Sequence, residues 1–177
     1  MKNIDNVDEL NIALNSGRNI FLTGEGGSGK SYTVSNYFKS SSRAALTATT
    51  GIAALLIGGD TIHRLLSLGV TARPEDADHI INKWEAIKRS KKPWDIARIK
   101  LLNNLDTLII DEASMLRRDQ FELIEVVLSN IKELPIAFGG VNLILVGDGF
   151  QLPPVVSYYD LKRYRDLVKP YCFQSDL

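Results

Sequence analysis

A chain of 177 residues is long enough for one domain with a sizeable core, and its 45% hydrophobic content excludes wholesale disorder. Its 21 basic and 21 acidic residues cancel, so overall charge selects no partner and any nucleic-acid contact must come from a local patch. Cys172 is the single cysteine, which excludes an intrachain disulfide and a multi-cysteine metal site, and His63 and His79 follow no metal-binding spacing. In chain order, residues 7–15 read as a short helix with Leu10 and Leu14 on one face and Asp5 or Asn6 as its cap. Residues 19–23 read as a buried strand, 31–38 as a helix and 40–42 as a loop. A second strand is expected over 43–49 and a small apolar helix over 52–57, closed by Gly58 and Gly59, while 61–66 fits either type. Pro74 suits the first turn of a further helix, and Pro93 separates that helix from another over about 94–103. Residues 105–110 are apolar on both faces, as in a central parallel strand covered by helices. The stretch 118–133 carries Phe121, Ile124, Leu128 and Ile131 at helical spacing, and 141–146 is another buried strand. Strands alternating with helices imply an α/β three-layer domain with a mostly parallel central sheet, whose ligands bind at the carboxyl ends of its strands.

One such end carries Gly24-Glu25-Gly26-Gly27-Ser28-Gly29-Lys30-Ser31, a complete G-x-x-x-x-G-K-S phosphate loop between a strand and a helix. Glycines let backbone N–H groups turn toward phosphate oxygens, and the helix N-terminus adds partial positive charge. In such a loop Lys30 reaches the β- and γ-phosphates and the Ser31 hydroxyl ligates Mg²⁺. The candidate nucleotide-binding set is Gly24, Gly26, Gly27, Ser28, Gly29, Lys30, Ser31 and Tyr32.

A second strand end, Leu108-Ile109-Ile110-Asp111-Glu112, delivers two adjacent carboxylates to the same edge. Phosphoryl transfer to water needs both a placed metal and a placed nucleophile. Asp111 is the candidate for Mg²⁺ and Glu112 for orienting or deprotonating the attacking water. A third strand end runs from Leu145 to Val155, where Gln151 is an uncharged group suited to sensing a γ-phosphate and Pro153-Pro154 stiffens the exit.

Between Lys83 and Lys100 the charge is uneven: Lys83, Lys88, Arg89, Lys91, Lys92, Arg98 and Lys100 face only Glu85 and Asp95. Trp84 and Trp94 lie in the same stretch. Basic residues interleaved with aromatics suit a phosphodiester strand and its bases, but the preferred reading is a solvated helical pair with both tryptophans anchored in the core.

Taken in order, these segments resemble the helicase motifs of superfamily 1B, most closely the petite-integration-frequency (PIF) DNA helicase family, which is related to RecD-type enzymes. The residues carrying the resemblance are Gly24 to Ser31, Thr49-Thr50-Gly51-Ile52-Ala53-Ala54, Gly59 to His63, Leu108 to Met115, Phe138-Gly139-Gly140 and Gly147 to Val155. The resemblance implies a RecA-like P-loop NTPase domain that uses ATP and Mg²⁺ to move 5′ to 3′ along single-stranded DNA and separate duplexes. It places Lys30 and Ser31 on nucleotide and metal, Asp111 and Glu112 on metal and water, and Gln151 near the γ-phosphate. It places Thr49, Thr50, Gly51, Thr61 and His63 on the DNA strand, where hydroxyls and backbone N–H groups bind phosphates without sequence choice.

The chain departs from the family in three ways, one of them Arg64 after His63, where a small hydroxyl residue is more usual. These helicases carry a glutamine ahead of the phosphate loop that reads adenine, whereas the glutamines here are Gln120, Gln151 and Gln174. They also use a second motor domain that completes the ATP site with an arginine, so residues 1–177 read as the first motor domain alone, a monomer by default. The N-terminal residues lack an apolar signal-peptide core and no apolar run approaches membrane-spanning length, so the expected location is cytosolic, or nuclear or mitochondrial in a eukaryote. Two rival readings stay open: a phosphate-loop kinase or other NTPase without a nucleic-acid track, and a non-catalytic nucleotide-binding remnant.

Overall fold

The computed structural model describes residues 7–69, 73–149, 154–156, 158, 160 and 171–175. Its strands β1 (Ile20–Thr23), β2 (Ala44–Ala48), β3 (Asp60–Thr61), β4 (Thr107–Asp111) and β5 (Asn142–Gly147) form one sheet in the order β1-β5-β4-β2-β3. Every pairing is parallel. The register aligns Leu46 with Ile109, Ile109 with Ile144 and Ile144 with Ile20, so one apolar row crosses four strands. Strand side chains alternate between faces, and the sequence honours that period on both sides. Leu46, Ile109, Ile144 and Val146 pack with Leu14 and Val34 on one face. Leu108, Ile110, Leu143 and Leu145 pack on the other with Trp84, Leu102 and the apolar side of the long helix that follows β4.

Helices cover both faces. On the first lie α1 (Val7–Leu14), α2 (Lys30–Ser40) and α3 (Gly51–Ile57); on the second lie α4 (Ile62–Leu65), α5 (Ala77–Lys88), α6 (Pro93–Asn103) and α7 (Arg118–Lys132). On α7 the expected Phe121, Ile124, Leu128 and Ile131 are buried, joined by Leu123 and Val127. β4 is buried at every position, as its apolar run implies. It starts two residues later than expected, because the Leu105 N–H closes a turn onto the Leu102 carbonyl before the chain extends. The ambiguous stretch at 61–66 divides: Asp60 and Thr61 add an edge strand, and the Thr61 hydroxyl then accepts the Arg64 N–H to start α4. Gly59 is what lets this edge approach, since a Cβ there would lie 2.4 Å from the Leu46 carbonyl oxygen.

The expectation that both tryptophans anchor the helical pair fails for one of them. Trp84 is fully buried, and its indole N–H donates to the Leu66 carbonyl at 2.8 Å. Trp94 is 66% exposed. The difference follows from position: Trp84 lies in the middle of α5 against the sheet-facing core, whereas Trp94 lies in the first turn of α6, beside Pro93. Among the described residues no helix is long and apolar enough to cross a membrane.

Candidate active site

The parallel sheet brings the carboxyl ends of β1, β4, β2 and β5 to one edge, and the candidate residues gather there. After β1 the chain turns through the glycine loop, with Gly27 at φ +78° and Gly29 at φ +85°. Nothing lies within 4 Å of a Cβ built at either position, so glycine is required there by backbone conformation, not by space. Gly29 caps α2, and Lys30 opens it. The Lys30 ammonium folds back over the loop, donating to the carbonyls of Gly24 at 2.7 Å and Glu25 at 2.9 Å. Three donors on a short leash make this ammonium a ready exchange partner for phosphate oxygens.

β4 delivers Asp111, only 4% exposed, and then Glu112 in the left-handed region at φ +54°, ψ +38°. A non-glycine residue held there is uncommon and is stabilised by its surroundings. The Asp111 carboxylate accepts the Glu112 N–H at 2.9 Å. Thr49, at the end of β2, holds both carbonyls: its N–H donates to Asp111 O at 3.1 Å and its hydroxyl to Glu112 O at 3.0 Å. Burial raises the Glu112 pKa, the Asp111 and Asp148 charges raise it further, and only Lys30 opposes them. The carboxyl is therefore more basic than an ordinary glutamate, which suits proton acceptance from water.

These groups line one cleft of about 310 Å³, formed by the loop from Gly26 to Tyr32 together with Asp111, Glu112, Gly147 and Asp148. A neighbouring hollow of about 420 Å³ shares Ser31, Tyr32, Asp111 and Glu112 and runs on between α2 and α3. Gly24 lies outside the cleft lining and acts through its carbonyl on Lys30. Gln151 lies outside the described residues. Asp148, 8% exposed, is a cleft residue that the sequence reading passed over. Its signal was present, since it follows Gly147 directly at the end of a buried strand.

The residues expected on a DNA strand sit beside this cleft. β2 and β3 pair Ala48 with Thr61, which sets Thr49-Thr50-Gly51 next to Thr61 and His63. The Thr50 and Thr61 hydroxyls accept the N–H groups of Ala53 and Arg64 as helix caps, which leaves each O–H proton available for an external acceptor. His63 is half-buried, and burial lowers its pKa, so its ring is neutral at pH 7. The Thr49 hydroxyl instead points inward, to Glu112.

Donor chemistry at the cleft fits Mg²⁺. Among the described residues no cluster of three or more His, Cys, Asp or Glu side chains is arranged for a metal. The cleft is lined by the hydroxyl residues Ser28, Ser31 and Tyr32 and by the carboxylates of Asp111, Glu112 and Asp148, of which Ser31 and Asp111 are the candidate ligands. Such a small set of hard oxygen donors suits an ion that keeps several waters and takes its other ligands from phosphates.

A family model described as PIF1-like helicase matches residues 3–166. The ATP-dependent DNA helicase RRM3 of Saccharomyces cerevisiae is 32% identical over 174 residues, which cover 95% of this chain and 22% of that protein. The ATP-dependent DNA helicase Pif1 of a Psychrobacter species is 39% identical over 148 residues, covering 81% of this chain and 21% of the relative. A crystal structure of Bacteroides Pif1 in complex with ADP-AlF3 and single-stranded DNA superposes with a TM-score of 0.79 at 30% identity, covering 99% of this chain and 39% of that one. The chain spans about a fifth of the length of these curated relatives.

Proposed function

The chain belongs to the PIF1-like helicase family, and on that premise we propose that its 177 residues are the first, ATP-binding motor domain of a 5′-to-3′ DNA helicase. The observation that carries this reading is the cleft shared by the phosphate loop, Asp111 and Glu112, with Thr49 joining Glu112 to the segment that runs on through Thr50 and Gly51. The similar Bacteroides protein, crystallised with ADP-AlF3 and single-stranded DNA, supports the pairing of nucleotide and strand. Lys30 binds the β- and γ-phosphates, the loop N–H groups cradle them, and Ser31 and Asp111 hold Mg²⁺. The metal, when bound, neutralises phosphate charge. Glu112 positions and deprotonates the attacking water, and Gln151 senses the γ-phosphate. Thr49, Thr50, Gly51, Thr61 and His63 follow the strand. Thr49 contributes through the Glu112 carbonyl, so a shift of β2 on strand binding alters the carboxylate that activates water.

Two measurements test this. Lys30→Ala removes charge-assisted bonds worth about 1.5–3 kcal/mol, so affinity for a fluorescent ATP analogue with Mg²⁺ falls roughly 10- to 100-fold. Unchanged affinity would take the loop out of nucleotide binding. Hydrolysis by a verified monomer of these 177 residues is expected to be slow, because an arginine supplied by a second motor domain contributes about 10³–10⁵ in rate in related enzymes. Robust steady-state turnover by that monomer would show that the site is already complete.

A further inference from the structure

Trp94 is placed where a structural tryptophan has no reason to be. It stands 66% exposed in the first turn of α6, with the Lys92 ammonium 5.7 Å from its ring centroid. Lys91 and Lys92 are exposed, and the Arg89 side chain is 82% exposed. The nearby acids are largely engaged: Asp95 accepts the Ser90 hydroxyl, and Glu85 bonds Lys88 at 3.1 Å while lying 4.0 Å from Arg89. An exposed indole beside a lysine ammonium, in a stretch that carries further exposed cations, is poorly matched to an apolar protein surface. It is well matched to a ligand that carries both flat π-faces and negative charge.

The location supports the same ligand. Trp94 and Arg98 are four residues apart and so share a face of α6. Arg98 donates to the carbonyls of Arg64 and Leu65, at the end of α4, the helix that starts from Thr61 and carries His63. The face bearing Trp94 is therefore fastened to the element expected to touch the strand. We propose that Trp94, with Arg89, Lys91 and Lys92, forms a base-stacking platform for single-stranded nucleic acid beyond the family's motif residues. One base stacks on the indole while the phosphates on either side meet the cations. The platform rests on the strand-binding reading given above and extends that track past α4.

The test compares binding of a short oligothymidylate and of an abasic strand of equal length, by fluorescence anisotropy, in the parent chain and its variants. Trp94→Ala is expected to weaken oligothymidylate about tenfold, from the loss of one stacked base, and the abasic strand less than twofold. Trp94→Phe restores most of the affinity. Combined Lys91→Gln and Lys92→Gln weakens both strands and lowers the salt slope by roughly 0.7 per charge removed. Because Trp84 is buried, quenching of tryptophan emission by oligothymidylate should vanish in Trp94→Phe. Equal oligothymidylate affinity in Trp94→Ala and parent, with matching thermal midpoints, overturns the platform alone. Equal weakening of both strands by Trp94→Ala also overturns stacking. Failure of the parent chain to bind oligothymidylate overturns the platform and the strand-binding reading together.

Discussion

The Glu112→Gln substitution is expected to preserve ATP–Mg²⁺ binding while lowering hydrolysis by about 10²–10⁴-fold, the range contributed by a positioned general base. A single-turnover assay with protein in excess over radiolabelled ATP reads rates slow enough for these 177 residues. Glutamine keeps the size of the side chain and removes only its charge, so the cleft stays shaped for nucleotide. Equal rates in the two proteins would remove Glu112 from water activation. The same variant has a signature in stability. Burial and the neighbouring Asp111 raise the Glu112 pKa, so the folded state favours the protonated carboxyl. A raised pKa gives a contribution that is fully present below the ordinary carboxylate range and lost as pH rises through the folded-state value. At neutral pH the ionised carboxylate thus opposes folding, and Glu112→Gln should melt higher than the parent. That advantage should vanish in acid, where both proteins carry a neutral group. A melting difference independent of pH would contradict the electrostatic account.

Trp84→Ala should produce the largest loss of stability from a single substitution. The side chain is fully buried, its N–H is bonded to Leu66 O, and the Arg98 guanidinium lies 4.8 Å from its ring centroid. Removing a buried tryptophan costs about 3–5 kcal/mol, which for a domain of this size lowers the thermal midpoint by roughly 10–15 °C. The damage has a direction. Trp84 and Arg98 hold α4 from one side, through the carbonyls of Leu66, Leu65 and Arg64, whereas the phosphate loop is built on β1 and α2, across the sheet. Below its melting temperature the variant should therefore lose affinity for single-stranded DNA more than for ATP. Trp84→Phe, which keeps bulk and loses the donor, should fall between. A midpoint within a few degrees of the parent, or an equal loss for both ligands, would refute this division.

Features written in contiguous residues were legible in the sequence. The phosphate loop announces itself because strand, glycines, Lys30 and Ser31 follow one another. The alternation of apolar runs and helical periods fixes an α/β domain, and the parallel sheet confirms it. Contacts between distant segments were not legible. Thr49 and Glu112 are far apart in the chain and meet only because β2 pairs with β4, so the inward turn of the Thr49 hydroxyl has no local signal. The left-handed backbone of Glu112 is equally silent, since nothing about glutamate favours it. Asp148 is a carboxylate at a strand end, but its place in the cleft depends on β5 lying between β1 and β4, which no local residue records. The two tryptophans looked alike in a shared basic stretch, and only the packing of α5 and α6 separates the buried Trp84 from the exposed Trp94.

Cys172 is the one thiol in the chain, and it is fully buried, donating to the Ala113 carbonyl at 3.3 Å. Burial raises its pKa to about 11, so at neutral pH almost none of it is the reactive thiolate. A maleimide dye will therefore ignore the native residue and couple to a cysteine engineered on the surface. Fluorophores can be attached on either side of the cleft without first replacing Cys172, which opens the domain's motions to single-molecule energy-transfer measurements.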